Sequence, residues 1–451
     1  MKITKLTGLT LAISLALPGA AMAYSKDDVT KWLAANQAAS VDFKDGENIS
    51  FKDREKIKAF IPPGYEEVMN FEGMNVVVRD ATDLSPSQQF KDATNQFQSK
   101  VSLAADGSLQ NYVAGEPFDS SSLNISDPDA GLKAVWNFNY RWQRQGLSTD
   151  TAHWVWVRKG GSHEDHELAK NEKYGHLFGG GGSFDRALWA EYKRVYFNHR
   201  ADMPEQKYKL KGSMARDTEF REITSFYNPF DIAGTAFMVL RHLNPKKADD
   251  SWAYVPSTRR VRRISAEAKT DSLLGTDLTL EDFYGFSGRV LDHDWEYVGT
   301  ARILAVARSR NPNTVYTGPN GWTPDDDWEL RLTDVFIQKP KTTSHPYSAK
   351  YMFTDRQNHT SYYSAAFDQA GELWKVWQQS RTWSEDPQGA GRKNMPEQAA
   401  GLNIPIYQSI QVIDVQNDRG TLVTVQDTYY PVDKKSKIKR ALDVNVLTEG
   451  R

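Results

Sequence analysis

The stretch Trp252-Ala253-Tyr254-Val255-Pro256-Ser257-Thr258-Arg259-Arg260-Val261-Arg262-Arg263-Ile264 reads as two short strands folded about a Pro-Ser-Thr turn. With side chains alternating across a strand, Trp252 and Tyr254 share a face. Arg260 and Arg262 share one face of the second strand, and Arg259, Val261 and Arg263 the other. The same period of two runs outward in both directions. His153-Trp154-Val155-Trp156-Val157-Arg158 alternates before Gly160-Gly161, and Ala236 to Leu240 is an apolar strand. Tyr351-Met352-Phe353, Ser361 to Phe367, Leu373 to Trp377 and Thr421 to Val425 continue the series, with Asp368-Gln369-Ala370-Gly371 as a hairpin connection. Trp136-Asn137-Phe138-Asn139-Tyr140-Arg141-Trp142 is read likewise, as a strand with Trp136, Phe138, Tyr140 and Trp142 on one face. Many short strands separated by turn signals predict a β-rich α+β fold. Its centre is a large antiparallel sheet, curved or closed, with helices packed on it.

The N-terminal part, about residues 24–100, is expected to be helical in pieces. Ser25-Lys26-Asp27-Asp28 has the form of a capping box, followed by Val29, Trp32 and Leu33 at helical spacing. A second helix is expected over Asp53–Phe60, stopped by Pro62-Pro63-Gly64. A third opens at Ser85-Pro86, with Phe90, Ala93 and Phe97 on one face. Residues 1–23 have the three parts of a secretory signal peptide: basic Lys2 and Lys5, the apolar run Leu6 to Leu17, and Ala21-Met22-Ala23 before a cleavage between Ala23 and Tyr24. Residues 24–451 are then expected to form one periplasmic domain, with the polar, Gly-rich Gly160–Gly182 as an inserted loop.

Composition narrows the chemistry. The chain has 451 residues, no Cys and a formal net charge of −2. These values exclude disulfides, Cys-ligated metals and a thiol nucleophile, and give no global attraction to nucleic acid. The 13 Trp, 20 Tyr and 20 Phe argue against disorder. His163-Glu164-Asp165-His166-Glu167 has metal-ligand residue types but lacks the order of a zinc peptidase and a helix to fix it, so a solvated loop is expected. Gly179-Gly180-Gly181-Gly182-Ser183 lacks the Lys of a phosphate loop and reads as a flexible turn. No G-x-S-x-G elbow occurs. Arg259, Arg260, Arg262 and Arg263 place four cations within five positions. They suit anionic headgroups or a protein partner, or else an ion-pair set with Glu267, Asp277, Glu281 or Asp282.

The motifs from Trp252 to Asp282 resemble those of a proteobacterial periplasmic family described as outer-membrane-lipoprotein-sorting-like. The signature is Trp252-x-Tyr254-x-Pro256-x-x-Arg259-Arg260-Val261-Arg262-Arg263-Ile264, then Gly275-Thr276-Asp277 and Glu281-Asp282. Supporting matches are Ala114-Gly115-x-Pro117-Phe118, Asp127-Pro128-x-Ala130-Gly131 with Trp136-Asn137, and Asp368-x-x-Gly371-x-Leu373. That family is similar in fold to the lipoprotein carriers LolA and LolB, which implies a half-open barrel with helices on its concave side and room for acyl chains between. The resemblance implies a non-enzymatic carrier for a lipid or other hydrophobic molecule, moving it between inner and outer membranes. An inner-membrane exporter of the resistance–nodulation–division type and an outer-membrane protein are its implied partners. The alternative is an envelope accessory protein that docks on them. It implies no catalytic residues, cofactor or metal. The expected cavity residues are Trp136, Phe138, Tyr140, Trp252, Tyr254, Val261 and Phe283, with Arg259, Arg260, Arg262 and Arg263 as the headgroup or partner contact.

Overall fold

The computed structural model describes residues 25–162, 166–170, 175–265, 267–385, 401–429 and 434–448. The expected signal segment and its expected cleavage point, Ala23 and Tyr24, lie outside them, as do His163, Glu164 and Asp165. Fifteen strands form one open sheet. They are β1 Asn48–Ser50, β2 Asn75–Arg79, β3 Gly146–Arg158, β4 Ser183–Tyr196, β5 Thr218–Asn228, β6 Ala236–His242, β7 Asp250–Val255, β8 Arg260–Ile264, β9 His293–Ala305, β10 Asp327–Pro340, β11 Ala349–Asp355, β12 Ser361–Phe367, β13 Leu373–Trp383, β14 Pro405–Asp414 and β15 Arg419–Tyr429. The order is β1-β2-β10-β11-β12-β13-β14-β15-β3-β4-β5-β6-β7-β8, with β9 paired to β10. All pairings are antiparallel except β2 with β10, so the sheet is mixed where the sequence alone suggested an antiparallel one. The opening stretch is the β7–β8 hairpin, at one end of this order, with Tyr254 opposite Val261 and Trp252 opposite Arg263.

Alternation along the strands makes two cores. Val155 and Val157 of β3, Trp189 of β4 and Leu422 of β15 face one side. There they meet α1 (Lys26–Ala38, capped by Ser25 and Asp28 as expected) and the short helix α2 (Glu66–Met69). The expected Asp53–Phe60 helix is two 3₁₀ turns, Phe51–Lys56 and Lys58–Phe60. α3 (Gln88–Phe97) is capped by Ser87. Trp154, Trp156, Leu188, Ala190 and Val423 face the other side.

Residues 136–142 are not a strand. α4 spans Ala130–Asn139, so Phe138 does not share a face with Trp136 and Tyr140. Ala130, Ala134, Val135 and Phe138 pack on Trp295 and Tyr297 of β9. A Cβ on Gly131 would stand 2.5 Å from the Trp295 backbone carbon, so the missing side chain lets helix and strand touch. Gly179–Gly182 is likewise a packed crossing, not a flexible turn. Gly181 N–H donates to Gly318 O at 2.8 Å, and a Cβ on Gly181 would lie 2.1 Å from Pro319 O. Among the described residues no helix is long and apolar enough to cross a membrane.

A candidate ligand cavity beneath a pinned strap

β8 closes the sheet order and β9 pairs with β10 near the other end, so the connection between them, residues 265–292, must cover much of a face. It does so as a chain of 3₁₀ turns, here called the strap, and buried polar groups tie it to six strands. Asp277 takes Arg419 Nη2 at 2.5 Å and the Thr421 hydroxyl at 2.8 Å, both from β15. Its carbonyl accepts from Lys375 of β13 at 2.9 Å. Asp282 caps the turn from Thr279 and pairs with Lys350 of β11 at 2.7 Å. Gln338 of β10 donates to Glu281. Arg194 of β4 donates to the Ser287 hydroxyl, and Arg241 of β6 to the carbonyls of Ser287 and Gly288. Asp277, Glu281 and Asp282, which the sequence offered to the arginine run, therefore have other partners. Among the described residues Arg263 of that run is paired, with Asp250, while Arg259, Arg260 and Arg262 are exposed on the edge hairpin.

The strap breaks its helical turn at Phe283 (ψ 136°) and Tyr284 (φ 64°), and both rings are buried against the sheet. Beneath them the central strands carry small side chains. Ala152 of β3 stands opposite Ala190 of β4, and Thr224 of β5 opposite Tyr192. Small residues in adjacent strands leave a hollow, because neighbouring backbones cannot close on it. Its wall is apolar, formed by Trp154, Phe283, Tyr284, Tyr407, Ile410 and Val423 among others, and its volume is about 60 Å³. Phe283 packs edge-on to Tyr192 at 5.7 Å and Trp154 at 6.1 Å; Tyr284 packs on Tyr407 at 4.6 Å.

Of the residues expected to line a cavity, Phe283 lies in this wall. Trp136 and Phe138 lie in the core under α4. Tyr140 lies at the end of that helix, stacked with Trp136 at 5.8 Å. Trp252, Tyr254 and Val261 pack on the sheet's other face against Ile438 and Leu442 of α5 (Lys435–Leu442). There Tyr254 lines a second hollow of about 250 Å³ with Phe226 and Leu447. The sequence reading missed Ala152, Ala190, Tyr284 and Tyr407. Trp154 stood in a quoted alternation, and Tyr284 follows Phe283; the other three carry no local signal.

A second polar group centres on Glu281, in the same turn of the strap as Asp282. Nε2 of His345, Nε2 of His293 and the Gln338 amide converge on Glu281 Oε1 at 3.1, 3.3 and 3.1 Å. Burial alone would raise the Glu281 carboxyl, but the two imidazoles outweigh it and hold it well below the usual carboxylate range. Glu281, His293 and His345 bring three ligand-type atoms within 4.8 Å. However, Tyr347 N–H donates to His345 Nδ1 at 3.0 Å, which puts that ring's proton on Nε2. His345 thus offers Glu281 a donor, not a metal a lone pair, and the cluster reads as a further pin for the strap. Of the acidic His run, His166 packs on Phe184, ring centroids 3.9 Å apart.

Crystal structures similar to the chain include the following three. A candidate outer-membrane lipoprotein-sorting protein domain from Vibrio parahaemolyticus is 16% identical, with a TM-score of 0.45, over 72% of this chain and 100% of that one. A DUF1329 family protein from Desulfovibrio piger is 17% identical, with a TM-score of 0.44, over 71% and 99%. A LolA superfamily protein from Nitrosomonas europaea is 12% identical, with a TM-score of 0.36, over 67% and 92%. No curated protein matches the chain. The model of the family described as "Protein of unknown function (DUF1329)" matches residues 48–445, and the chain belongs to that family.

Proposed function

We propose that the chain is a periplasmic binding protein that carries a hydrophobic molecule between the inner and outer membranes. The observation that carries this reading is the apolar hollow at the centre of the sheet, roofed by the Phe283–Tyr284 step of the strap. Burial of a methylene is worth ~0.8 kcal/mol, so a lipid crossing water needs a lined space of this kind. At about 60 Å³ the hollow is smaller than the ~150 Å³ cavity that admits benzene. A chain-like ligand therefore enters by displacing Phe283 and Tyr284, with the polar pins on either side holding the rest of the strap. The test is organic extraction and mass spectrometry of the mature protein purified from periplasm, followed by titration of the stripped protein with the neutral probe N-phenyl-1-naphthylamine. A co-purifying lipid and saturable probe uptake are expected. Absence of both would end the carrier reading.

One observation favours a second reading, an accessory role in docking on an exporter of the resistance–nodulation–division type or an outer-membrane protein. The β7–β8 edge presents Arg259, Arg260 and Arg262 to solvent, with no carboxylate within ion-pair distance among the described residues. Exposed substitutions away from buried features change stability by about 0.5 kcal/mol or less. Arg260→Glu with Arg262→Glu is therefore expected to abolish co-purification with the exporter at an unchanged melting temperature. Undiminished co-purification would remove this reading and leave the carrier.

A further inference from the structure

We infer that the cargo of the central cavity is an anionic amphiphile, its head at the Tyr284–Tyr407 end and its chain beneath Phe283; this rests on the carrier reading. Three guanidinium groups surround that tyrosine pair. Arg381 lies 3.3 Å from the centroid of the Tyr407 ring, and Arg194 and Arg141 lie 4.3 and 5.3 Å from that of Tyr284. All three are buried, Arg381 at 2%, Arg194 at 3% and Arg141 at 7% exposure. Among the described residues only Arg194 of the three has an ion-pair partner, Glu222 at 2.5 Å.

Arg141 donates to the Phe138 carbonyl at 2.6 Å, and Arg381 to the Gln379 amide oxygen at 3.1 Å and the Ser361 carbonyl at 3.4 Å, all neutral acceptors. The Arg381 Nε and the Tyr407 hydroxyl have no hydrogen-bond partner of good geometry among the described residues and interact with each other. Glu219, which lines a neighbouring hollow with Arg141, takes Asn139 at 3.2 Å, and burial raises its carboxyl. Burial also lowers Arg381, Tyr407 acts against that effect, and Arg141 adds to it. A buried cation without a counter-charge is costly, and buried charges in folded proteins are normally paired. Two such cations, packed on the rings of Tyr284 and Tyr407 at one end of a hollow whose own wall is apolar, call for a ligand with a carboxylate or phosphate head, which guanidinium groups bind by paired charged hydrogen bonds. The Tyr407 hydroxyl is a further donor for the same head.

The experiment measures binding of palmitate, hexadecanol and inorganic phosphate to the stripped mature protein by calorimetry. Charged hydrogen bonds of this kind predict palmitate binding at least about tenfold tighter than hexadecanol, with phosphate alone undetected. In Arg141→Gln with Arg381→Gln, palmitate should fall to the hexadecanol level, and hexadecanol should stay within about twofold. Equal binding of palmitate and hexadecanol by the unaltered protein would overturn the anionic head and leave the carrier standing. Binding of neither chain would overturn the carrier reading itself. Phosphate as tight as palmitate would make this a free-anion site and overturn the amphiphile. The comparison of ligands on the unaltered protein decides the matter even where the double variant does not fold.

Discussion

Asp282→Ala is expected to lower the free energy of unfolding by about 3–5 kcal/mol, as when one partner of a buried ion pair is removed. Asp282 is fully buried and Lys350 is 1% exposed. The carboxylate takes Lys350 Nζ at 2.7 Å, the Tyr347 hydroxyl at 3.0 Å, and the hydroxyl and N–H of Thr279 at 2.8 and 3.2 Å. Alanine would leave an ammonium inside the core, 4.0 Å from the Trp377 ring, and remove the cap of the strap's central turn. The cost is mainly that of the stranded Lys350 charge. Asp282→Leu with Lys350→Met should therefore recover most of the loss, since an apolar pair of similar volume often replaces a buried ion pair at little cost. Urea unfolding reads both variants, and hydrogen exchange shows whether residues 277–286 open before the sheet. A single-variant loss below about 1 kcal/mol would mean that the pair does not hold the strap.

Local pattern carried the fold where alternation and turn chemistry agree. The Trp252–Ile264 hairpin, the strand with Trp154 and Trp156, and the Asp368–Gly371 connection stand where the sequence placed them. The family, too, was legible in the hairpin signature with Asp277, Glu281 and Asp282. Pattern misled at Trp136–Trp142, where apolar and polar residues alternate by two although the segment from Ala130 is helical. α4 is buried on several sides, so Trp136 and Phe138 both find cores without sharing a face, and the decisive residue is Gly131, which admits Trp295. Charge proximity misled at Arg259–Arg263. Asp277, Glu281 and Asp282 are near in sequence, but the strap carries them across the sheet to Arg419, His345 and Lys350. The cavity was illegible for a related reason. Its floor depends on the register of Ala152 with Ala190, and its cationic end on Arg141 and Arg381. Residues so far apart in sequence meet only through strand order.

If the hollow is a ligand site, two core substitutions that both destabilise should move binding in opposite directions. Ala190→Phe places a ring where Ala152, Trp154 and Phe283 bound about 60 Å³. Overpacking of that kind costs about 1–3 kcal/mol, and by occupying the space it should lower uptake of N-phenyl-1-naphthylamine by about 100-fold or more. Phe283→Ala removes the roof. It should cost about 3–5 kcal/mol, as for other buried Phe→Ala changes, while leaving a larger apolar space. Tyr192 and Trp154 lose their edge-on partner, and the probe, which must displace Phe283 from the intact protein, then meets an open hollow. Its uptake should rise by about tenfold or more. Loss of folded protein lowers binding in both variants alike, so a rise in Phe283→Ala beside a fall in Ala190→Phe can come only from the cavity. Melting temperature and probe titration at one temperature, well below both transitions, separate the two effects. Parallel losses of uptake in proportion to destabilisation would show that Phe283 and Ala190 are core packing alone, and that the cargo binds elsewhere or does not exist.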